Sequence, residues 1–141
     1  MAEGADWDWT TVEGVQAILA TTPIHRHLGF SCQRMDAAGI VVLHAPVGEA
    51  AQRSDGAGQA HGGVIATLID STATFAACIA AGKTVPTAGL HVDYLRPASG
   101  AEMVATGTVR KLGRTAAVVD VEVMSGGKLV ALGRAALATG S

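Results

Sequence analysis

The chain has 141 residues, room for one domain and too little for a cofactor-binding domain beside a separate substrate domain. Ten Lys and Arg against twelve Asp and Glu give a net charge of −2, with no basic stripe and no aromatics interleaved with cations, which argues against nucleic acid as a partner. Only 16% of residues are charged, against about 25% in an average protein, while 49% are hydrophobic and 18 are glycine. So thin a polar surface implies that copies of the chain cover part of one another, and a homo-oligomer is expected.

Thr10-Thr11-Val12-Glu13 reads as a capping box, and Val12, Val15, Ile18 and Leu19 follow at helical spacing, predicting a short amphipathic helix to about Ala20. Pro23 is read as its end. Residues 1–22 are therefore an N-terminal helical segment, and the core of a single domain over 1–141 is placed at 28–138. Met1 to Asp8 carries acids and no positive region ahead of an apolar core, and apolar runs are broken well before about 18 residues. The expectation is a soluble, cytoplasmic protein with no membrane partner. Cys32 and Cys78 lack CxxC spacing and read as two buried thiols. His25 and His27 have no acid or thiol at ligand spacing, so they read as exposed loop residues and no metal site is expected.

Beyond Gly29 the chain reads as extended, with strands at Phe30 to Met35 and Ile40 to Pro46 joined by a turn at Asp36 to Gly39. Gly48 to Ala60 is rich in Gly, Ala, Gln, Ser and Asp without periodicity and reads as a mobile surface loop. Gly62 to Ala81 has no Pro and repeats Val64, Leu68, Phe75 and Ile79 at three- and four-residue steps, predicting a helix of about 30 Å. Almost every position on it is apolar or small, as in a helix wrapped on most sides. Gly82 stops it. Four strand-like runs follow, Thr87 to Arg96, Glu102 to Leu112, Thr115 to Met124 and Lys128 to Leu137; Val119, Val121 and Val123 alternate with Asp120 and Glu122. The order fits an antiparallel sheet curled around one helix, an α+β fold.

His61-Gly62-Gly63 opens the central helix, and Asp70 is the only acid within it. A helix N-terminus offers unpaired N–H groups and partial positive charge, and glycine lets a ligand approach the backbone closely, which makes an oxyanion site. Asp70 shares a face with the small residues Ala66, Ala73 and Ala77. Eight helical residues separate Gly62 from Asp70 by about 12 Å, whereas one reacting carbonyl needs both groups at about 3 Å. One chain cannot supply both; two chains related by a twofold axis can. The alternatives at this point are a structural hydrogen-bonded Asp70 and a His61 that only caps the helix. Gly56 to Gly62 also reads as GxGxxxG, but no alternating βαβ order supports a dinucleotide site.

These residues resemble the hotdog-fold acyl-CoA thioesterases of the 4-hydroxybenzoyl-CoA thioesterase superfamily, and among them the phenylacetyl-CoA thioesterase-like branch. The likeness runs through Leu28-Gly29-Phe30, His61-Gly62-Gly63 to Asp70, Tyr94-Leu95-Arg96-Pro97-Ala98 and Leu112-Gly113-Arg114. It implies a hotdog fold, an antiparallel sheet wrapped around a long central helix, and a thioester hydrolase needing no cofactor beyond its coenzyme A thioester substrate. It further implies that the Gly62 N–H polarises the thioester carbonyl and that Asp70 of the facing subunit attacks it or activates water. Thr87 and Thr74 fall where the family holds hydroxyls near the carboxylate, and His61 where it supports the helix start. Gly63, Arg96, Lys111 and Arg114 are the positions the resemblance offers to substrate and to the CoA phosphates. Six residues before His61 the family carries Asn or Gln, whose amide holds the lytic water or contacts substrate; here stands Asp55, which donates nothing when ionised.

The function expected on this basis is hydrolysis of an aryl- or medium-chain acyl-CoA by a dimer or dimer of dimers, such as a homotetramer, with sites between subunits. The alternatives are a non-catalytic acyl-CoA-binding hotdog module and an acyl-thioester hydratase or dehydratase, which needs a His and an acid paired across a C–C bond.

Overall fold

A computed structural model of the protein describes Asp8, residues 10–36 and residues 38–140. Helix α1 (Val12–Thr21) is capped by Thr11, whose Oγ1 accepts the Gly14 N–H at 3.0 Å. The box expected between Thr10 and Glu13 does not form. The helix starts one residue later than it requires, so Gly14 takes the third helical position, and Thr10 instead donates its hydroxyl to Asp8 Oδ1 at 2.5 Å. Pro23 likewise begins an element rather than leaving a loop. It is the first residue of helix α2 (Pro23–Leu28), where its missing N–H has no partner to lose and its fixed φ suits the helix. Gly29, at φ 74°, ends α2 in the left-handed conformation.

The remaining elements are strands β1 (Ser31–Asp36) and β2 (Ile40–Pro46), helix α3 (Gly62–Ala81), and strands β3 (Thr87–Tyr94), β4 (Glu102–Leu112), β5 (Ala116–Ser125) and β6 (Lys128–Ala138). They form one antiparallel six-stranded sheet in the order β1-β2-β4-β5-β6-β3, with α3 packed against β2 to β6. Strand limits differ from the sequence expectation by a residue or two. β3 stops at Tyr94 rather than Arg96 because the Leu95 and Arg96 N–H groups both turn to the Val130 carbonyl.

The segment 48–60, expected to be a mobile loop, is tied down. Glu49–Ala51 forms a 3-10 turn, Gln52 pairs with Ala60, the Arg53 N–H donates to Gln59 O at 3.0 Å, and Gln52 Oε1 accepts the Gly58 N–H at 3.1 Å. The lack of periodicity hid it, because a loop closed by its own amides needs none.

Ile65, Leu68, Ile69, Ala73, Phe75, Ala76, Ala77 and Cys78 of α3 are buried against Val119, Val121 and Val123 of β5 and their neighbours. Packing on this many sides accounts for a twenty-residue helix as apolar as a membrane span. The helix lies close on the sheet where the sheet has no side chain. A Cβ built on Gly107 would lie 3.0 Å from Thr72 Cγ2, and one built on Gly133 would collide with Ile69 Cγ2. On the opposite sheet face Asp120 accepts from Arg134 at 2.6 Å and from Arg110 at 3.0 Å, and these bonds, Arg134's first, hold its carboxyl below the ordinary range. Cys32 and Cys78 are buried and unpaired, and burial pushes both thiols up.

Candidate active site

Asp70 stands on α3 where the helix passes the first residue of β3. Thr87 Oγ1 donates to Asp70 Oδ1 at 2.7 Å, and Thr74, one turn further along α3, lies 3.2 Å from the same Thr87 oxygen. Since Thr87 spends its proton on the carboxylate, Thr74 is the donor in the second contact. Three of the residues singled out in the sequence thus form one hydrogen-bonded chain. The carboxylate is half-buried and opens on a cavity of about 210 Å³ with Ile18 and Phe75 on its apolar side.

At the helix start, His61 is the N-cap, and its Nδ1 accepts the Gly63 N–H at 2.9 Å. Its carbonyl accepts the Val64 N–H at 2.9 Å. Gly63, expected to meet substrate, therefore has its donor occupied. The Gly62 N–H meets no acceptor among the described residues, which leaves it available to a developing oxyanion. Gly62 is held from the other side by Tyr94, whose hydroxyl donates to the Gly62 carbonyl at 2.7 Å. Beside it a groove of about 280 Å³ is lined by Arg53, Gln59, Leu95 and Arg96 among others.

The other candidates are scattered within one chain. Asp55 is exposed on the 48–60 loop and lines neither of these cavities. Lys111 and Arg114 lie at the β4–β5 turn. That turn is linked through Thr139 to Lys83, just past the C-terminal end of α3, a helix length of about 30 Å from Gly62. A larger groove, about 420 Å³, is lined by His91, Arg110, Asp120 and Arg134 on the sheet face that carries the outward acids, and none of these site residues reaches it.

His25, expected on an exposed loop, sits in α2, half-buried beside the Asp70 cavity. Its ring stacks on Phe30 with centroids 5.4 Å apart, and its Nε2 lies 2.7 Å from Ser71 Oγ. Burial lowers its pKa from the ordinary 6.5, and the nearby Asp70 carboxylate opposes that shift. The signal that could have found it was Pro23: a proline ahead of His25-Arg26-His27-Leu28 and a glycine is a short helix with both its stops. Tyr94 and Arg53 were also missed as site residues.

Residues 57–131 match the profile of the thioesterase superfamily, and the chain belongs to that family. It has the hotdog fold and is, as a family member, a thioester hydrolase. Acyl-coenzyme A thioesterase 13 of Homo sapiens is 32% identical over 126 residues, which are 86% of this chain and 89% of the human one. Zebrafish thioesterase superfamily member 2 superposes with a TM-score of 0.81 at 29% identity, covering 92% of this chain and 99% of that one. The E. coli PaaI protein from the phenylacetic acid degradation operon gives 0.77 at 27% identity, over 86% of this chain and 87% of its own.

Proposed function

We propose that the protein hydrolyses an aryl- or medium-chain acyl-CoA to free acid and CoA at sites shared by two copies of the chain. The observation that carries this reading is the division of the machinery along α3: a hydrogen-bonded carboxylate at Asp70 and a free N–H at Gly62, about 12 Å apart on one rigid helix. A site needing both takes them from different chains. β3 supports the pairing. It lies at the sheet edge, bonded among the described strands to β6 alone, and Leu90 and Tyr94 on its helix-facing side are 39% and 53% exposed.

In this reading the thioester carbonyl rests against Gly62 of one copy and its carbon faces Asp70 of the other. Asp70 takes a proton from water as the water oxygen adds to that carbon, and the oxyanion forms against the helix N-terminus. The tetrahedral intermediate collapses, the C–S bond breaks, and the proton passes from Asp70 to the departing sulfur. Thr87 and Thr74 hold the carboxylate in place throughout. Arg96 and Arg53, beside Gly62, take the CoA phosphates.

The test is thiol release from a panel of phenylacetyl-, benzoyl-, hexanoyl- and decanoyl-CoA, alongside hydration of an enoyl-CoA. Asp70→Asn should lower kcat by about 10²–10⁴-fold with KM nearly unchanged. Unaltered turnover in that variant, or hydration in place of thiol release, would refute the reading. A single turnover in ¹⁸O-water should put the label in the product acid and none in the Asp70 carboxylate.

A further inference from the structure

The cavity beside Asp70 contains three hydroxyls besides the carboxylate, those of Thr22, Ser71 and Thr74. Two of them spend their protons inside the protein: Thr22 donates to the Ile18 carbonyl at 3.4 Å, and Thr74 donates to Thr87. Ser71 differs because of His25. Burial favours the neutral imidazole, in which one ring nitrogen carries the proton. Nδ1 is buried with no hydrogen-bond partner among the described residues, and a proton there would be a stranded N–H, whereas on Nε2 it is donated to Ser71 Oγ at 2.7 Å. Ser71 thereby accepts from His25 and keeps its own proton, for which no acceptor exists among the described residues.

We infer that Ser71, oriented by His25, holds the hydrolytic water against Asp70. Water in this cavity has Asp70 to accept one of its protons and the Ser71 hydroxyl to donate to one of its lone pairs, which leaves the other lone pair for the carbonyl carbon. Asp55, by contrast, is exposed on the 48–60 loop and lines neither this cavity nor the groove beside Gly62, so within one chain the donor to that water comes from α3. Ser71 touches the reacting water; His25 acts through Ser71 and is a positioning residue. This inference rests on the thioesterase reading above.

The experiment compares Ser71→Ala, Ser71→Cys, His25→Phe and His25→Asn with the wild-type protein, on the best acyl-CoA of the panel, with thermal unfolding and oligomeric state recorded for each. Ser71→Ala should lower kcat by about 10–100-fold with KM within about twofold, since a misplaced water costs rate and not binding. Ser71→Cys, a weaker donor of similar size, should fall between. His25→Phe keeps the stack on Phe30 but removes the N–H, and should lower kcat about tenfold, with His25→Asn, whose amide can donate, recovering part of the loss. A Ser71→Ala kcat within twofold of wild type, a loss that falls on KM, or equal losses in the two His25 variants would each overturn the assignment. Normal wild-type turnover that Asp70→Asn abolishes, with Ser71→Ala unaffected, removes this inference alone; no turnover of any acyl-CoA removes the thioesterase reading and this with it.

Discussion

His25 gives the fold a pH dependence of definite sign. In the unfolded chain its imidazole binds a proton at about 6.5, and in the folded chain, chiefly because it is buried, only at a lower pH. Between those two values the unfolded state holds more protons, so stability is complete above 6.5, falls as pH drops below it, and levels off beneath the folded value. Thermal unfolding between pH 7.5 and 5 should show Tm declining, and His25→Phe should flatten that slope; an unchanged slope would assign it elsewhere. At this scale the sequence is unevenly legible. Asp70, Thr74 and Thr87 stand out from their motif positions, and the fold joins their side chains by hydrogen bonds. His25 and Ser71 are 46 residues apart, and no periodicity or spacing links a short helix before the sheet to the middle of α3. Gly63, which the resemblance offers to substrate, spends its N–H on the capping His61, while the donor expected to meet the oxyanion, that of Gly62, has no acceptor among the described residues.

α3 was the most legible element. Its apolar residues have nowhere to go but inward, and Gly82 closes it with a left-handed turn at φ 69°. α2 is harder to see, because α1 does end ahead of Pro23 and the same proline then opens a second helix. The order of the loop from 48 to 60 is invisible in the sequence because amide-to-backbone closure leaves no pattern in hydrophobicity. What the sequence could not express is how near α3 comes to the sheet. Gly107 and Gly133 let it settle onto the backbones of β4 and β6, against Thr72 and Ile69. Gly133→Ala should therefore force Ile69 outward and cost about 1–3 kcal/mol, measured by denaturant unfolding, because its Cβ meets the Cγ2 methyl of a β-branched side chain, held close to the backbone, rather than a flexible chain end. A variant as stable as wild type would mean that the helix floats more freely than the packing implies.

At the scale of the whole molecule, the scarcity of charge gains a location. Besides scattered residues such as Ile24 and Leu112, apolar exposure falls on β3 and the chain just beyond it, at Leu90, Tyr94 and Leu95, next to both halves of the chemistry. That an apolar surface existed was legible from composition; that it lies along one open strand was not, since β3 reads in sequence like any other strand of the sheet. The rigidity of α3 then has a genetic consequence. If every site draws its carboxylate from one chain and its N–H from another, two kinds of dead protomer carry complementary defects. Asp70→Asn retains a working helix start, and Gly62→Val, whose added side chain crowds the Tyr94 ring and the approach to the N–H, retains a working carboxylate. Co-refolded in equal amounts, half of the pairs are mixed and each mixed pair contains one sound site and one doubly damaged one, so about a quarter of wild-type activity should return. Two inactive alleles of this sequence would thus complement each other in the same cell, and a mixture that stays inactive would mean that each chain works alone.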